Sequence, residues 1–225
     1  MAQPQCIGII LDGNRRWAKE RELSSLEGHT KGFEVLKDAA RWVRDRGVGH
    51  LVVFAFSTEN WNRSETEVSY LMDIFRKVIQ ETAEELGREH IAVRFVGQRE
   101  RFAADIQAGM RAVEERNPEH PRMTLWVCLS YGGRAEIAAA AQAAHLSGEA
   151  VITEAVLAEY LWTAGMPDPD NVVRTGGEQR LSGFLPWQAV YSELFFISQK
   201  WPDFTETILD DILREYDERE RRFGA

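Results

Sequence analysis

Cysteine and histidine are scarce in this chain, two and five among 225 residues. No spacing among them suits zinc, and Cys6 and Cys128 both sit inside apolar runs, as buried reduced thiols do and a disulfide framework does not. Long hydrophobic runs are missing too. None approaches the roughly 20 residues of a membrane span, and the first apolar run starts too early to leave room for a signal peptide. A cytoplasmic location is the expectation. Positive charge is also in deficit, with a net charge of −9. That argues against general nucleic-acid binding, which wants a basic face. An anionic ligand would have to be held by locally concentrated arginines. Neither G-x-x-x-x-G-K-[ST] nor a post-strand G-x-G-x-x-G occurs, and there is no repeat or linker. What the chain does have is 44% hydrophobic residues, enough for one domain over residues 1–225 with a substantial core.

The stretch from Ile7 to Trp17 organises the rest. An unbroken apolar run ends on Asp12, followed by Gly13-Asn14, then Arg15-Arg16-Trp17 and a helix-capable segment. Such runs suit strands buried on both faces of a parallel sheet, and ligands bind beyond the carboxyl ends of those strands. Gly13 permits close backbone approach, Arg15 and Arg16 would face an anion, and Asp12 is where a metal-holding carboxylate would sit beside a phosphate. A plain strand-turn-helix with solvated arginines is the competing reading of this segment alone.

Residues 19–27 are polar and aperiodic and read as a loop. Gly28-His29 then leads into a helix carrying Phe33, Leu36, Ala40 and Val43. Strands are expected at Leu51–Phe56, Ile91–Val96, Met123–Leu129, Asn171–Arg174 and Leu194–Ile197, the last with Glu193 at its start. Ser64 and Glu67 form a capping-box pattern ahead of an apolar stripe from Val68 to Leu86, ordinary core or the wall of a lipid pocket. Asp203 and Glu206 read as the cap of a final helix with Ile208, Ile212 and Tyr216. Strands alternating with helices imply an α/β fold with a central parallel sheet of about six strands.

Four strand ends carry Gly, Arg, Asn or Ser clusters, at 12–16, 57–63, 130–134 and 174–182. Together on one sheet edge they describe a site with two anionic pockets, since Arg15 and Arg16 are far in sequence from Arg174 and Arg180. An aspartyl phosphatase would want a second Asp two residues after Asp12, where Asn14 stands.

The blocks Asp12-Gly13-Asn14-Arg15-Arg16-Trp17-Ala18, Gly28-His29, Phe56-Ser57-Thr58-Glu59-Asn60-Trp61-Asn62-Arg63, Tyr131-Gly132-Gly133-Arg134, Arg174-Thr175-Gly176-Gly177-Glu178 and the closing Arg222-Phe223-Gly224 resemble the cis-prenyltransferases, especially bacterial undecaprenyl diphosphate synthases. They occur in the family's order over nearly the whole chain. The resemblance implies a homodimeric, Mg²⁺-dependent enzyme joining isopentenyl diphosphate to a farnesyl-type allylic diphosphate, making a polyprenyl diphosphate for lipid carriers. It has the allylic diphosphate on the Gly13–Arg16 turn near His29, and isopentenyl diphosphate on Arg174, Arg180, Leu181 and Ser182. It implies Mg²⁺ on Asp12 and on Glu193, from the partner subunit or nearby. Ser57, Asn60 and Trp61, with Phe56, Thr58, Glu59 and Arg63 around them, would position the isopentenyl unit. Asn60 takes part in removing its proton, the acceptor being Asn60 or a pyrophosphate oxygen. The closing tail would reach the partner's site. Peripheral contact with the inner membrane face is expected on product release.

The chain departs from the family pattern in places. Ser25 stands where an Arg usually helps hold the allylic diphosphate, and Arg15 or Arg21 are the candidates to compensate. Arg15 replaces a frequent Gly, Ser130 an Asn, and Gln179 a His. Three other readings stay open: a short-chain synthase, a non-catalytic subunit of a heteromeric synthase, and a plain phosphate-binding domain. For the first, Ala55 is small, while Phe33, Met123 and Leu129 are candidates to narrow an apolar tunnel.

Overall fold

The computed structural model describes residues 3–219, without the side chains of residues 80–84. Six strands form one sheet: β1 Cys6–Ile10, β2 His50–Ser57, β3 Ile91–Val96, β4 Met123–Tyr131, β5 Asn171–Arg174 and β6 Glu193–Phe196. Their order is β3-β4-β2-β1-β5-β6, and every pairing is parallel. The helices are α1 Asn14–Glu20, α2 Ser25–Asp45, α3 Glu65–Arg88, α4 Ala104–Glu115, α5 Gly133–Leu146, α6 Glu154–Tyr160 and α7 Glu206–Glu218. The all-apolar β1 is buried at every residue, as a central parallel strand must be when both faces are covered. Residues of α2, α3, α4 and α7 share one apolar cluster. A second cluster holds Cys6, Val52, Cys128 and Val172 of the strands with Phe184, Leu185 and Ala189.

The chain order places the site. From β1 it moves to β2, crosses to the edge strand β3, comes back to β4 between them, and then passes to β5 and β6 on the other side of β1. The crevice where the direction reverses lies beyond the carboxyl ends of β1 and β5, the usual ligand position in open α/β sheets. In register, Ile10 lies opposite Arg174 there.

The loop expected at residues 19–27 is confined to 21–24, with 19–20 ending α1 and 25–27 opening α2. Ser24 caps α2, its hydroxyl accepting from the Glu27 amide at 3.3 Å while the Glu27 carboxylate accepts from the Ser24 amide at 2.9 Å. This capping box starts the helix ahead of Gly28. Gly28 and Gly32, four apart on α2, let α1 approach closely. A Cβ at Gly28 would stand 2.3 Å from the Asn14 carbonyl oxygen, and one at Gly32 2.1 Å from Asn14 Oδ1. The cap of α7 is Thr205, not Asp203, which lies in a 3-10 turn at Trp201–Asp203. Met123 does not narrow a tunnel near the site, because it starts β4 opposite Ile91, at the far end of the sheet.

Candidate active site

At the crevice, Arg174 is 5% exposed and its guanidinium is committed. One amino group donates to Asp12 Oδ2 at 2.9 Å, and the other to Ser182 Oγ at 2.8 Å and the Arg180 carbonyl at 2.5 Å. Its Nε is buried without a partner among the described residues. Arg174 thereby fixes the 180–182 loop against the end of β1. Ser182 adopts positive φ, and the Arg180 side chain is exposed, pairing with Glu178. Asp12 is held from its other side by Arg16, at 3.2 Å. The Arg16 guanidinium lies over Gly176, where a Cβ would come within 2.5 Å of it. Gly176 and Gly177 both take positive φ, which glycine alone adopts without strain.

A second cationic group gathers on Glu67. Its carboxylate accepts from Arg63 Nη1 at 3.0 Å, contacts His29 Nε2 at 3.4 Å and faces Arg15 Nη1 at 3.6 Å. The Ser64–Glu67 pattern is thus only half a capping box. Ser64 caps the Glu67 amide, while the Glu67 side chain turns to these partners. Burial lowers the His29 pKa first, the Arg63 charge second, with Glu67 opposing both. Ser57 caps a 3-10 turn at Thr58–Asn62, and Asn60 within it accepts from the Ser57 amide through Oδ1 at 3.1 Å.

Both groups open onto one cavity of about 950 Å³, whose described wall includes Arg15 but not Arg16, which pairs with Asp12 and Glu178. Its wall includes Asp12, Asn14, Arg15, His29, Ser57, Thr58, Glu59, Asn60, Arg63, Arg174, Arg180 and Ser182 from the sequence reading. Trp201, Phe54 and Arg134 join them. Arg134 was visible in its Gly-Gly-Arg motif, whereas Trp201 and Phe54 gave no signal beyond apolarity.

Other sequence candidates stand elsewhere. The Trp17 indole donates to Asp203 at 2.7 Å, and Arg21 covers its ring at 4.4 Å. Of the two arginines that could replace the missing one at Ser25, Arg15 therefore lines the cavity and Arg21 does not. Ser25 itself is exposed on the first turn of α2. Phe56 is buried among Trp61, Phe75 and Phe102. Trp61 donates to Ser130 Oγ at 2.8 Å, and Leu181 packs into the second core cluster. Glu193 lies opposite Asn171, at the start of β5 rather than its end, and pairs with Arg219 at 2.7 Å. A parallel strand rises about 3.3 Å per residue, so a chain's own Glu193 does not reach its own Asp12. The Arg222–Gly224 tail lies outside the described residues.

Among the described residues no three His, Cys, Asp or Glu side chains cluster as a metal cage. Asp12 alone, at the cavity wall and already neutralised by two guanidinium groups, fits a different mode. Magnesium usually takes one or two carboxylates plus substrate phosphates.

A parallel α/β sheet with two cationic groups around a cavity that also carries Asp12 and Glu59 suits the binding of two anions. The sequence comparison carries this further: the chain belongs to the undecaprenyl diphosphate synthase family, whose model, described as "Putative undecaprenyl diphosphate synthase", matches residues 10–224. It is 43% identical to an isoprenyl transferase of Thermotoga maritima, over 100% of this chain and 98% of the relative. Its structure is similar to lavandulyl diphosphate synthase from Lavandula x intermedia, solved with dimethylallyl diphosphate, at a TM-score of 0.94 and 33% identity over 99% of both chains. A probable undecaprenyl diphosphate synthase from Campylobacter jejuni gives a TM-score of 0.86 at 26% identity, over 100% of both chains.

Proposed function

We propose that the protein joins isopentenyl diphosphate to a farnesyl-type allylic diphosphate, forming a longer prenyl diphosphate with a new cis double bond. The observation that carries this reading is one cavity holding two separate pairs of arginines, Arg174–Arg180 beside Ser182 and Arg15–Arg63 beside His29, with Asp12 on its wall. Two diphosphates repel strongly, so a two-substrate enzyme needs two such groups. In the reaction the allylic C–O bond breaks, a carbon–carbon bond forms to the isopentenyl double bond, and a proton leaves the isopentenyl unit. Arg15, His29 and Arg63 stabilise the negative charge that develops on the leaving pyrophosphate. Asn60 orients the isopentenyl unit while a pyrophosphate oxygen takes the proton. Mg²⁺, held by Asp12 and the diphosphate, would supply further charge neutralisation there. We also assign a homodimer, in which the partner subunit's copy of the Glu193 edge completes the metal site, and peripheral membrane contact on product release.

A polyprenyl product for lipid carriers is one form of this function. A short product is favoured by a specific feature: the apolar cavity behind the site holds only about 80 Å³. An engineered apolar cavity of ~150 Å³ binds a molecule no larger than benzene. Incubation with farnesyl diphosphate, isopentenyl diphosphate and Mg²⁺, followed by sizing of the product, tests both. Absence of any condensation product refutes the function.

A further inference from the structure

Phe33, Leu36, Ala55 and Phe75 line both the main cavity and the small apolar cavity behind it. The second space runs between α2 and α3 and away from the diphosphate groups. One charged residue, Lys37, belongs to its described wall. The hydrocarbon stem of a lysine can line an apolar space while its ammonium reaches out of it. Here the ammonium faces Glu85 of α3 at 3.5 Å. Beyond this pair the facing positions of the two helices are charged. Arg41 binds Glu85 at 2.5 Å and Glu89 at 3.1 Å, and Arg44 binds Glu89 at 2.8 Å. Apolar lining therefore gives way to a ladder of ion pairs.

Resting on the reading of the site as a prenyl-chain synthase, we propose that Lys37, held across the cavity's end by Glu85, is the stop that limits product length. A growing prenyl tail advancing between α2 and α3 meets the paired ammonium. To pass, it must push aside the lysine stem and part the pair, whose side chains are 29% and 41% exposed, so each further isoprene unit meets bulk and a modest electrostatic cost. A tail that stops short keeps both charges paired and partly solvated. The product class this assigns is short-chain prenyl diphosphates.

The test uses the full chain with isopentenyl diphosphate, Mg²⁺, and dimethylallyl or farnesyl diphosphate as primer, sizing dephosphorylated products by mass spectrometry. Lys37→Ala removes the stop, and Glu85→Gln releases it without touching the described cavity wall. Both variants should shift the product distribution longer by one or more isoprene units, and melting temperatures confirm that each is folded. Unchanged lengths in both variants overturn the proposal. Lengthening in Lys37→Ala alone assigns the stop to the bulk of the lysine stem and overturns the role of the pair. A native chain that consumes no isopentenyl diphosphate overturns the functional reading, and the stop with it.

Discussion

Replacing Arg174 by lysine keeps the charge and removes the fork. The native guanidinium binds Asp12, Ser182 and the Arg180 carbonyl at once, with 5% of the residue exposed. A lysine ammonium at the end of a flexible stem can satisfy one of these from the same Cα and loses the planar geometry. Two charge-assisted hydrogen bonds are then lost, at about 1.5 kcal/mol each, or ~3 kcal/mol in all. Arg180 and Ser182 then lose their anchor, and kcat/KM for isopentenyl diphosphate should fall, by at most roughly 10²-fold if all of that energy serves positioning at 1.4 kcal/mol per tenfold. The allylic KM should change less than the isopentenyl one, because Arg15, His29 and Arg63 serve that substrate and only Asp12 is shared with Arg174. Steady-state kinetics with each substrate varied at saturation of the other gives both numbers. Equal losses for the two substrates, or none for isopentenyl diphosphate, would refute the assignment of Arg174 to one pocket.

Asp12→Asn should lower turnover by about 10²-fold or more, as removal of one electrostatic element of a site does, and abolish any dependence on Mg²⁺; near-native turnover at saturating Mg²⁺ would sink the metal assignment. In Glu67→Gln the His29 pKa, already lowered by burial, should fall further, since Glu67 is what raises it. NMR titration of the His29 ring reads the shift directly, and no change would remove Glu67 from the cationic group. Because the folded-state pKa of His29 is below its ordinary value of 6.5, the unfolded chain binds the proton more readily. Its contribution to stability is therefore complete above that pH and is lost as the pH falls through 6.5 toward the folded value. Gly32→Ala would put a Cβ 2.1 Å from Asn14 Oδ1 and 2.9 Å from the Trp201 ring. Overpacking of this kind costs about 1–3 kcal/mol, and a thermal melt equal to that of the native chain would contradict the close α1–α2 approach.

Much of the fold was legible because buried parallel strands leave continuous apolar runs. Ile91–Val96 and Asn171–Arg174 are strands at the boundaries expected from sequence. Strand ends carrying Gly, Arg and Asn led to the crevice for the same reason, since β strands in this order deliver their carboxyl ends to one edge. The misses have physical causes. The helix after the Gly13-Asn14 turn was expected, but residues 19–24 lack an apolar stripe, so where α1 ends and the Ser24 cap of α2 were hidden. Glu67 offered two uses for one carboxylate, and two arginines and the His29 ring outcompeted its own backbone. Trp17 follows the arginines in the motif, yet its helical position turns it to Asp203. Glu193 stands at the start of its strand, and only the parallel register fixes which edge that start occupies.

The account rests on two diphosphates reacting in one cavity, and radiolabelled isopentenyl diphosphate tests this most directly. Label should enter an organic-extractable prenyl diphosphate only when an allylic diphosphate and Mg²⁺ are both present, and Arg174→Lys should suppress that incorporation. Release of pyrophosphate from the allylic substrate without incorporation of label, or binding of both diphosphates with no product, would contradict it.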